Sequence, residues 1–509
     1  MHKIAQKSWS EGIFKAYDIR GKYPEEINDD AVYKIARAFA RYLRLGVQEK
    51  KDLKILVSTD ARISSPALKE AFLDGLLDEN VEIIDAGLTT TPMHYFVLNQ
   101  SEADGGAMIT ASHNPAEFNG IKLSRKGAVP IGEGTGMEEI KADALRGIFM
   151  AAPPTESADS ESGNRGKVFN KDFLEDYIQF FKNKFSDLAG HGIKFTACAG
   201  NGMTSILLHE LFGKFPKFKV DYLHDDLDMS FPNHEANPLK EENLRDVQWS
   251  VLKNKSALGI SFDGDGDRVG FVDEAGKFIP GDIVTALLVE YFSNYQATPD
   301  ENSRRGRAVS PSNSLNGGRD GVKEFSDGVA GVVYDLRSSR VVREGIEKYG
   351  MRPIESRVGH AFMKKLMRDN DAILGGELSG HYYFRDFFFC DSAIFTILAM
   401  LDLLRLENKP LSELVRPLLR YVKSNELNYE VQDKERLLDK VVSYFPDAQI
   451  FYLDGIKVEY WDSSALPGKK WWFNLRISNT EDLVRLNLEA DNKELFEEKK
   501  KLVEELLSQ

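Results

Sequence analysis

Cysteine is scarce: Cys198 and Cys390 are the only two among 509 residues. They stand far apart in hydrophobic or glycine-rich surroundings, which fits neither a disulfide framework nor a zinc site and points to a reducing compartment, the cytoplasm. Positive charge is in deficit, with 66 Lys and Arg against 80 Asp and Glu, for a net charge of −14. No global field draws in nucleic acid or an anionic bilayer, so an anionic ligand has to be held by local cations. Long apolar runs are missing too. The most apolar stretch, Ala393 to Leu406, is broken by Asp402 and Arg405, and Met1 to Trp9 carries Lys3 and Lys7 without the apolar segment of a secretory leader. Neither a membrane span nor a membrane partner is expected.

Against these absences stand ordinary globular proportions, 42% hydrophobic and 29% charged residues, enough to bury several cores. At roughly 150 residues per domain the length suggests about three or four domains. Three segments repeat one layout of strand, helix and strand. They are Leu53–Asp60, Ser65–Glu79 and Val81–Ala86; then Gly192–Cys198, Met203–Gly213 and Phe218–Leu223; then Gly331–Asp335, Ser339–Tyr349 and Arg352–Arg357. The alternation predicts three related α/β units with mixed or mainly parallel sheets. The last ninety residues differ, with strands predicted at Trp471–Ile477 and Leu483–Glu489 and an amphipathic helix at Lys493–Leu507, as in an α+β domain. Ala152–Lys167 reads as an exposed linker, and Gln296–Val322 as a polar surface insertion.

Four motifs carry chemistry. Leu258 to Phe262 is a strand that runs into Asp263-Gly-Asp265-Gly-Asp267-Arg268. Carboxylates at alternate positions of an extended segment project to one side, and the glycines let the backbone curl until all three reach one hard cation, Mg²⁺. A calcium EF-hand is disfavoured because its sixth loop position is Arg268, not Gly, and its flanks are strands. The second motif, Met108 to Pro115, is a strand opening into a loop that presents the hydroxyl of Ser112, or else a turn serine beside Asn114-Pro115. No Gly-x-Ser-x-Gly elbow surrounds it. In the third, Gly375 to His381, glycines flank Glu377, Ser379 and His381, donors and acceptors suited to sugar hydroxyls. The fourth is Arg476-Ile-Ser478-Asn479-Thr480, either a phosphate-binding turn or an ordinary hairpin loop.

Together, and in this order, the four motifs resemble those of the α-D-phosphohexomutases. The stretches Asp60–Pro66, Asp85–Pro92, Phe231–Asp246, Asp335–Ser339, Val358–His360 and Gly376–Asp386 are similar to the phosphomannomutase/phosphoglucomutase branch. Phosphoglucosamine mutases usually carry a polar residue where this chain has Leu378. The resemblance implies four domains, 1–167, 168–281, 282–421 and 422–509, each lending one motif to a central cleft. Ser112 would be the phosphoserine, and Mg²⁺ would bind it together with Asp263, Asp265 and Asp267, with Arg268 fixing that site. Lys122 and Arg20 would lie beside Ser112, and His113, in the same motif, belongs with this catalytic set. His360 and His381 would stand near the substrate, where a neutral imidazole can move a hydroxyl proton. Glu377 and Ser379 would hold the sugar O3 and O4. Arg476, Ser478, Asn479 and Thr480 would grip the unreacting phosphate, together with Arg485 and with Arg337, where many members carry Lys. The implied reaction interconverts hexose 1- and 6-phosphates of mannose and glucose, with a hexose 1,6-bisphosphate as intermediate and activator. Two departures are local: Ser58-Thr59-Asp60 replaces the common Gly-Arg-Asp, and the insertion around Ser303–Gly321 has no counterpart.

Two other functions compete. Asp263-Gly-Asp265 after an apolar strand imitates the nucleophile of haloacid-dehalogenase phosphatases, but Asp267 stands where that scheme wants Thr or Val, and Ser112 would be idle. A non-catalytic sugar-phosphate sensor has no use for a phosphorylatable serine beside a metal.

Overall fold

The structure is a computed structural model that describes residues 9–46, 52–147, 166–296, 329–431, 433–461, 468–477 and 483–508. Most of the linker and of the polar insertion lies outside these residues, as do Ser478, Asn479 and Thr480.

Three mixed sheets repeat one plan. In the first, Lys54–Thr59 runs parallel to Glu82–Leu88 on one side and to Gly105–Ile109 on the other, and Phe118–Arg125 then returns antiparallel. In the second, Lys194–Cys198 lies between the parallel strands Lys219–Leu223 and Leu258–Phe262, and Val269–Asp273 returns antiparallel. In the third, Gly331–Asp335 lies between Arg352–Ser356 and Leu374–Gly376, with Tyr382–Phe384 antiparallel. The central strands Gly105–Ile109, Leu258–Phe262 and Gly331–Asp335 are buried at every position, which is why they read as continuous apolar runs with no alternation. Each chain reversal after the last parallel strand holds one of the motifs: Ser112, Asp263–Arg268 and Glu377–His381. The three loops are topologically equivalent, and they sit at the carboxyl ends of parallel strands, where open α/β sheets bind ligands.

The first sheet gains Ile19–Lys22 on one edge and Lys167–Asn170 on the other. Its helices start where polar caps satisfy free N–H groups. Asn28 accepts from Ala31 at the head of Asp29–Leu45, and Thr90 accepts from Met93 at the head of Thr91–Gln100. The helix expected over Met203–Gly213 is broken in two, a 3₁₀ turn at Met203–Ile206 and an α-helix at Leu208–Gly213. The break falls at Leu207 (φ −131°), and Met203 N donates to Gly264 O (2.8 Å), which ties the first turn to the aspartate loop.

The fourth sheet is antiparallel throughout, in the order Val422–Lys423, Leu483–Ala490, Trp471–Ile477, Ile456–Tyr460 and Gln449–Phe451. Leu437 and Val441 of the helix Lys434–Tyr444, and Val503 and Leu506 of Lys493–Leu507, pack with Val458, Phe473 and Leu488 in a core of their own. A larger core runs unbroken from the first unit through the third, joining Phe96, Tyr177, Phe181, Phe387 and Phe395. Polar contacts join the fourth unit to the third, among them Arg340–Glu459 and Lys457–Glu355, each 2.6 Å. Among the described residues no helix is long and apolar enough to cross a membrane.

Candidate active site

The chain bends sharply at Ser112, which holds a left-handed backbone conformation (φ 51°) and is buried. Such a conformation costs a non-glycine residue energy and persists only where the surroundings enforce it. Arg62 enforces it. Its guanidinium, fully buried, donates to four carbonyls of this loop: Ser112 and Asn114 at 2.8 Å, Pro115 at 2.7 Å and Phe118 at 3.1 Å. Asp60 balances the charge, accepting from Arg62 Nε at 3.1 Å. Arg20 donates to Asn114 Oδ1 (2.6 Å) and pairs with Asp18.

Facing this bend, Asp263, Asp265 and Asp267 are buried, and one oxygen of each lies within 4.8 Å of the others. The segment is a tight turn and not the extended strip read from the sequence: Gly266 N donates to Asp263 O, and Gly266 takes φ +73°. The carboxylates converge because the backbone folds on itself. A Cβ at Gly264 would stand 2.4 Å from Ser112 O, so glycine is what lets the two loops meet. Across that contact the Ser112 hydroxyl donates to Asp263 Oδ2 at 3.1 Å.

Lys122 Nζ reaches over from the first sheet to Asp265 Oδ2 (2.8 Å) and Asp267 Oδ2 (2.6 Å). Burial works against its charge, yet the two carboxylates outweigh it and hold the ammonium well above its ordinary range. Burial, with Asp267 and Asp265 close by, pushes the Asp263 carboxyl well above its usual range. Asp267 is held well below it, because Lys122 and His381 overcome its burial. Oδ1 of Asp265 and Oδ1 of Asp267 are buried without a hydrogen-bond partner. Three carboxylates against one lysine, with two orphaned oxygens, fit a divalent cation bound by oxygen.

His381 joins this cluster to the third unit. Its Nε2 lies 3.2 Å from Asp267 Oδ1 and accepts from Arg268 Nε at 3.3 Å, while Nδ1 meets Ser379 Oγ at 3.0 Å. Glu377 accepts from Ser379 Oγ and from Tyr383 OH, both at 2.7 Å. The His360 ring is 6.5 Å from that of His381 and edge-on to Tyr17 at 5.4 Å. Burial, then Lys364, lowers the His360 pKa well below its ordinary value. Arg268, then burial and Arg20, do the same to His113, whose Nδ1 is 3.2 Å from Ser112 Oγ. Both imidazoles are therefore neutral near pH 7.

On the far side, Glu426 gathers three arginines from two units: Arg476 at 2.7 Å, Arg337 at 3.4 Å and Arg485 at 3.5 Å. Burial opposes its charge, but Arg476 and Arg337 keep its carboxyl below the ordinary range. Arg337 is also chelated by Asp335, with Nε 3.0 Å from both oxygens.

Family models match the chain in four pieces: Phosphoglucomutase/phosphomannomutase, alpha/beta/alpha domain I over 11–149, domain II over 175–276, domain III over 318–421, and the C-terminal domain over 426–506. The chain belongs to this family. It is 37% identical over 503 residues to a phosphomannomutase of Methanocaldococcus jannaschii, 97% of either chain being covered. A phosphomannomutase of Vibrio cholerae is 34% identical over 94% of both chains. The crystal structure of a phosphoglucomutase/phosphomannomutase family protein from Burkholderia thailandensis superposes with a TM-score of 0.81 at 27% identity, covering 98% of each chain.

Within this phosphoglucomutase/phosphomannomutase frame, the residues expected from the sequence divide cleanly. Ser112, His113, Lys122, Arg20, Arg268 and the three aspartates come together, as do Glu377, Ser379, His360 and His381. Arg337, Arg476 and Arg485 form a separate cationic cluster around Glu426. Ser478, Asn479 and Thr480 lie outside the described residues. Sequence reasoning missed Arg62, Glu426, Tyr383 and Thr91, whose hydroxyl donates to Asp265 at 2.6 Å. One signal for Arg62 was available. Asp60-Ala-Arg62 and Asp335-Leu-Arg337 both follow the first strand of their unit, and in both the arginine N–H and Nε turn back to the aspartate.

Proposed function

We propose that the chain interconverts hexose 1-phosphates and 6-phosphates, of mannose and of glucose, through a phosphoserine at Ser112 and a hexose 1,6-bisphosphate. The observation that carries this reading is the Ser112 hydroxyl, buried and 3.1 Å from Asp263 in a triad of carboxylates. A phosphoryl group on that oxygen would be repelled by three aspartates unless a cation stood between them, and the orphaned oxygens of Asp265 and Asp267 suit one. Mg²⁺ bound there withdraws charge from phosphorus. Asp263, Asp265 and Asp267 hold it, while Lys122 and Arg268 offset the remaining charge.

In the first half-reaction a sugar hydroxyl forms a bond to phosphorus as the Ser112 Oγ–P bond breaks, and the hydroxyl proton leaves to a base at the cleft, where His360 and His381 stand, while Lys122 stays protonated beside Asp265 and Asp267. The bisphosphate then turns end for end and its other phosphoryl group returns to Oγ. Added hexose 1,6-bisphosphate recharges Ser112, hence its role as activator. Glu377 and Ser379 hold O3 and O4, and the cations around Glu426, with Ser478, Asn479 and Thr480, hold the unreacting phosphate. Each of four domains supplies one motif, with junctions near 170, 281 and 421, the first just past 167 because Lys167–Asn170 pairs into the first sheet. Two free, buried thiols suit action in the cytoplasm.

The test combines intact-protein mass, before and after phosphatase, with a coupled assay primed by glucose 1,6-bisphosphate. Wild type carries one labile phosphate, and Ser112→Ala carries none and turns over several orders of magnitude more slowly. Near-normal turnover in that variant defeats the reading. Because the proposed O3 and O4 contacts leave C2 unread, mannose and glucose 1-phosphates differ within about a hundredfold in kcat/KM, and galactose 1-phosphate, inverted at O4, is far poorer.

A further inference from the structure

We propose that Cys198, His224 and His234 form a second metal site, suited to zinc and separate from the aspartate triad. The three are scattered in the sequence, which is why cysteine spacing gave no zinc pattern. In the fold, Cys198 ends the strand Lys194–Cys198, and His224 follows the parallel strand Lys219–Leu223, whose Leu223 pairs with Cys198. His234 comes from the irregular segment that covers both strand ends. One ligand atom of each lies within 4.8 Å of the others.

The finer geometry agrees. Cys198 Sγ and His234 Nε2 are 3.6 Å apart. A tetrahedral zinc, with Zn–S about 2.3 Å and Zn–N about 2.0–2.1 Å, sets sulfur and nitrogen about 3.5–3.6 Å apart. The outer contacts also match. His234 Nδ1 is 2.8 Å from the carbonyl of Glu235, so Nδ1 carries the proton and Nε2 turns its lone pair toward the sulfur. His224 Nε2 is 2.9 Å from Asp246 Oδ2, which leaves Nδ1 for a metal. A backbone carbonyl behind one histidine and a carboxylate behind the other are the partners that metal-bound imidazoles hold.

Cys198 is fully buried, whereas His224 and His234 are half-buried, so an ion and a water as fourth ligand have access from one side. Binding exchanges the S–H bond for a sulfur–metal bond and releases the proton to solvent. The site would fasten the turn after Cys198, whose Met203 N bonds Gly264 O of the aspartate loop, and so brace that loop from behind.

Cobalt(II) tests this in the intact protein, with excess Mg²⁺ present to occupy the oxygen site. One equivalent should bind with an intense thiolate-to-cobalt absorption band, seen equally in wild type, in Cys390→Ser and in Asp265→Asn. Cys198→Ser should abolish the band, His234→Ala should weaken binding more than tenfold, and Asp246→Asn should weaken it about 10–100-fold. Zinc should displace the cobalt and raise the melting temperature of wild type but not of His234→Ala. Should Cys198→Ser fail to fold, the band in wild type and its loss in His234→Ala, with unchanged circular dichroism, decide the matter. No band in wild type under a large excess of cobalt, or a band that persists in Cys198→Ser, overturns the proposal and leaves a thiol–imidazole hydrogen bond.

Discussion

Lys122 lies between two carboxylates of another unit, 2.8 Å from Asp265 and 2.6 Å from Asp267. It is thus a buried counter-ion to the triad. On the proposed reading Lys122→Met should lower kcat by about 10²–10³-fold, the usual cost of removing one group that stabilises charge in the transition state. The same change removes a cation that competes for the aspartates. The Mg²⁺ concentration for half-maximal activity should therefore stay level or fall, and kinetics over a Mg²⁺ series read both numbers. A rise would mean that Lys122 helps to build the metal site.

Arg62 touches four carbonyls of the Ser112 loop and is fully buried, which makes it a positioning residue. Arg62→Ala strands Asp60 in the interior and should cost about 3–5 kcal/mol, measured as a shift in the urea transition. Arg62→Lys restores the charge but not the fork of donors. It should recover part of the stability while turnover stays low, a split that simple loss of folding would not produce.

Of the three cations around Glu426, Arg476 is the nearest to it, at 2.7 Å. Arg476→Ala should raise KM for a hexose 1-phosphate roughly 30-fold or more, since truncating one partner of a buried charge pair costs about 2–5 kcal/mol of binding. On the proposed reading kcat should change less, because a distal phosphate held alike in ground and transition states contributes to binding alone. An unchanged KM would assign Arg476 to the structure of the fourth sheet, where it pairs with Arg485.

His94 gives the stability of the first unit a pH dependence. Its ring is buried, Nδ1 meets Ser58 Oγ at 2.6 Å, Nε2 has no partner, and burial lowers its pKa to about 3. An unfolded histidine titrates near 6.5. Stability is therefore whole above about pH 6.5 and is lost as pH falls toward 3, because only the unfolded chain takes the proton, at about 1.4 kcal/mol per pH unit. His94→Asn, which keeps a polar atom near Nδ1, should unfold in urea with a midpoint less sensitive to pH between 7.5 and 5.

The strands at Gly331–Asp335 and Trp471–Ile477 and the helix at Lys493–Leu507 stand where periodicity put them. Their apolar patterns follow from burial on one or both faces, which is a local property of the chain. The aspartates and their intervening glycines stood in the sequence, but the tight turn that makes them converge did not, since glycine permits extended and folded backbone alike. Met203–Gly213 has a helical pattern but is divided at Leu207, whose φ of −131° leaves the helical range, a backbone change that its apolar periodicity does not carry.

Sequence by itself determined the three repeated units, the appended fourth, and the residue types able to carry chemistry. Only the tertiary structure decided what those residues do to one another. Lys122 meets Asp265 across 143 residues, Glu426 meets Arg337 across 89, and Cys198 meets His234 across 36. Charge balance, desolvation and ligand geometry depend on separations in space, and a linear pattern does not encode them. Arg62 marks the boundary most clearly: in the sequence it is one arginine among many, and inside the fold its planar fork is what holds Ser112 in a conformation the residue would not adopt alone.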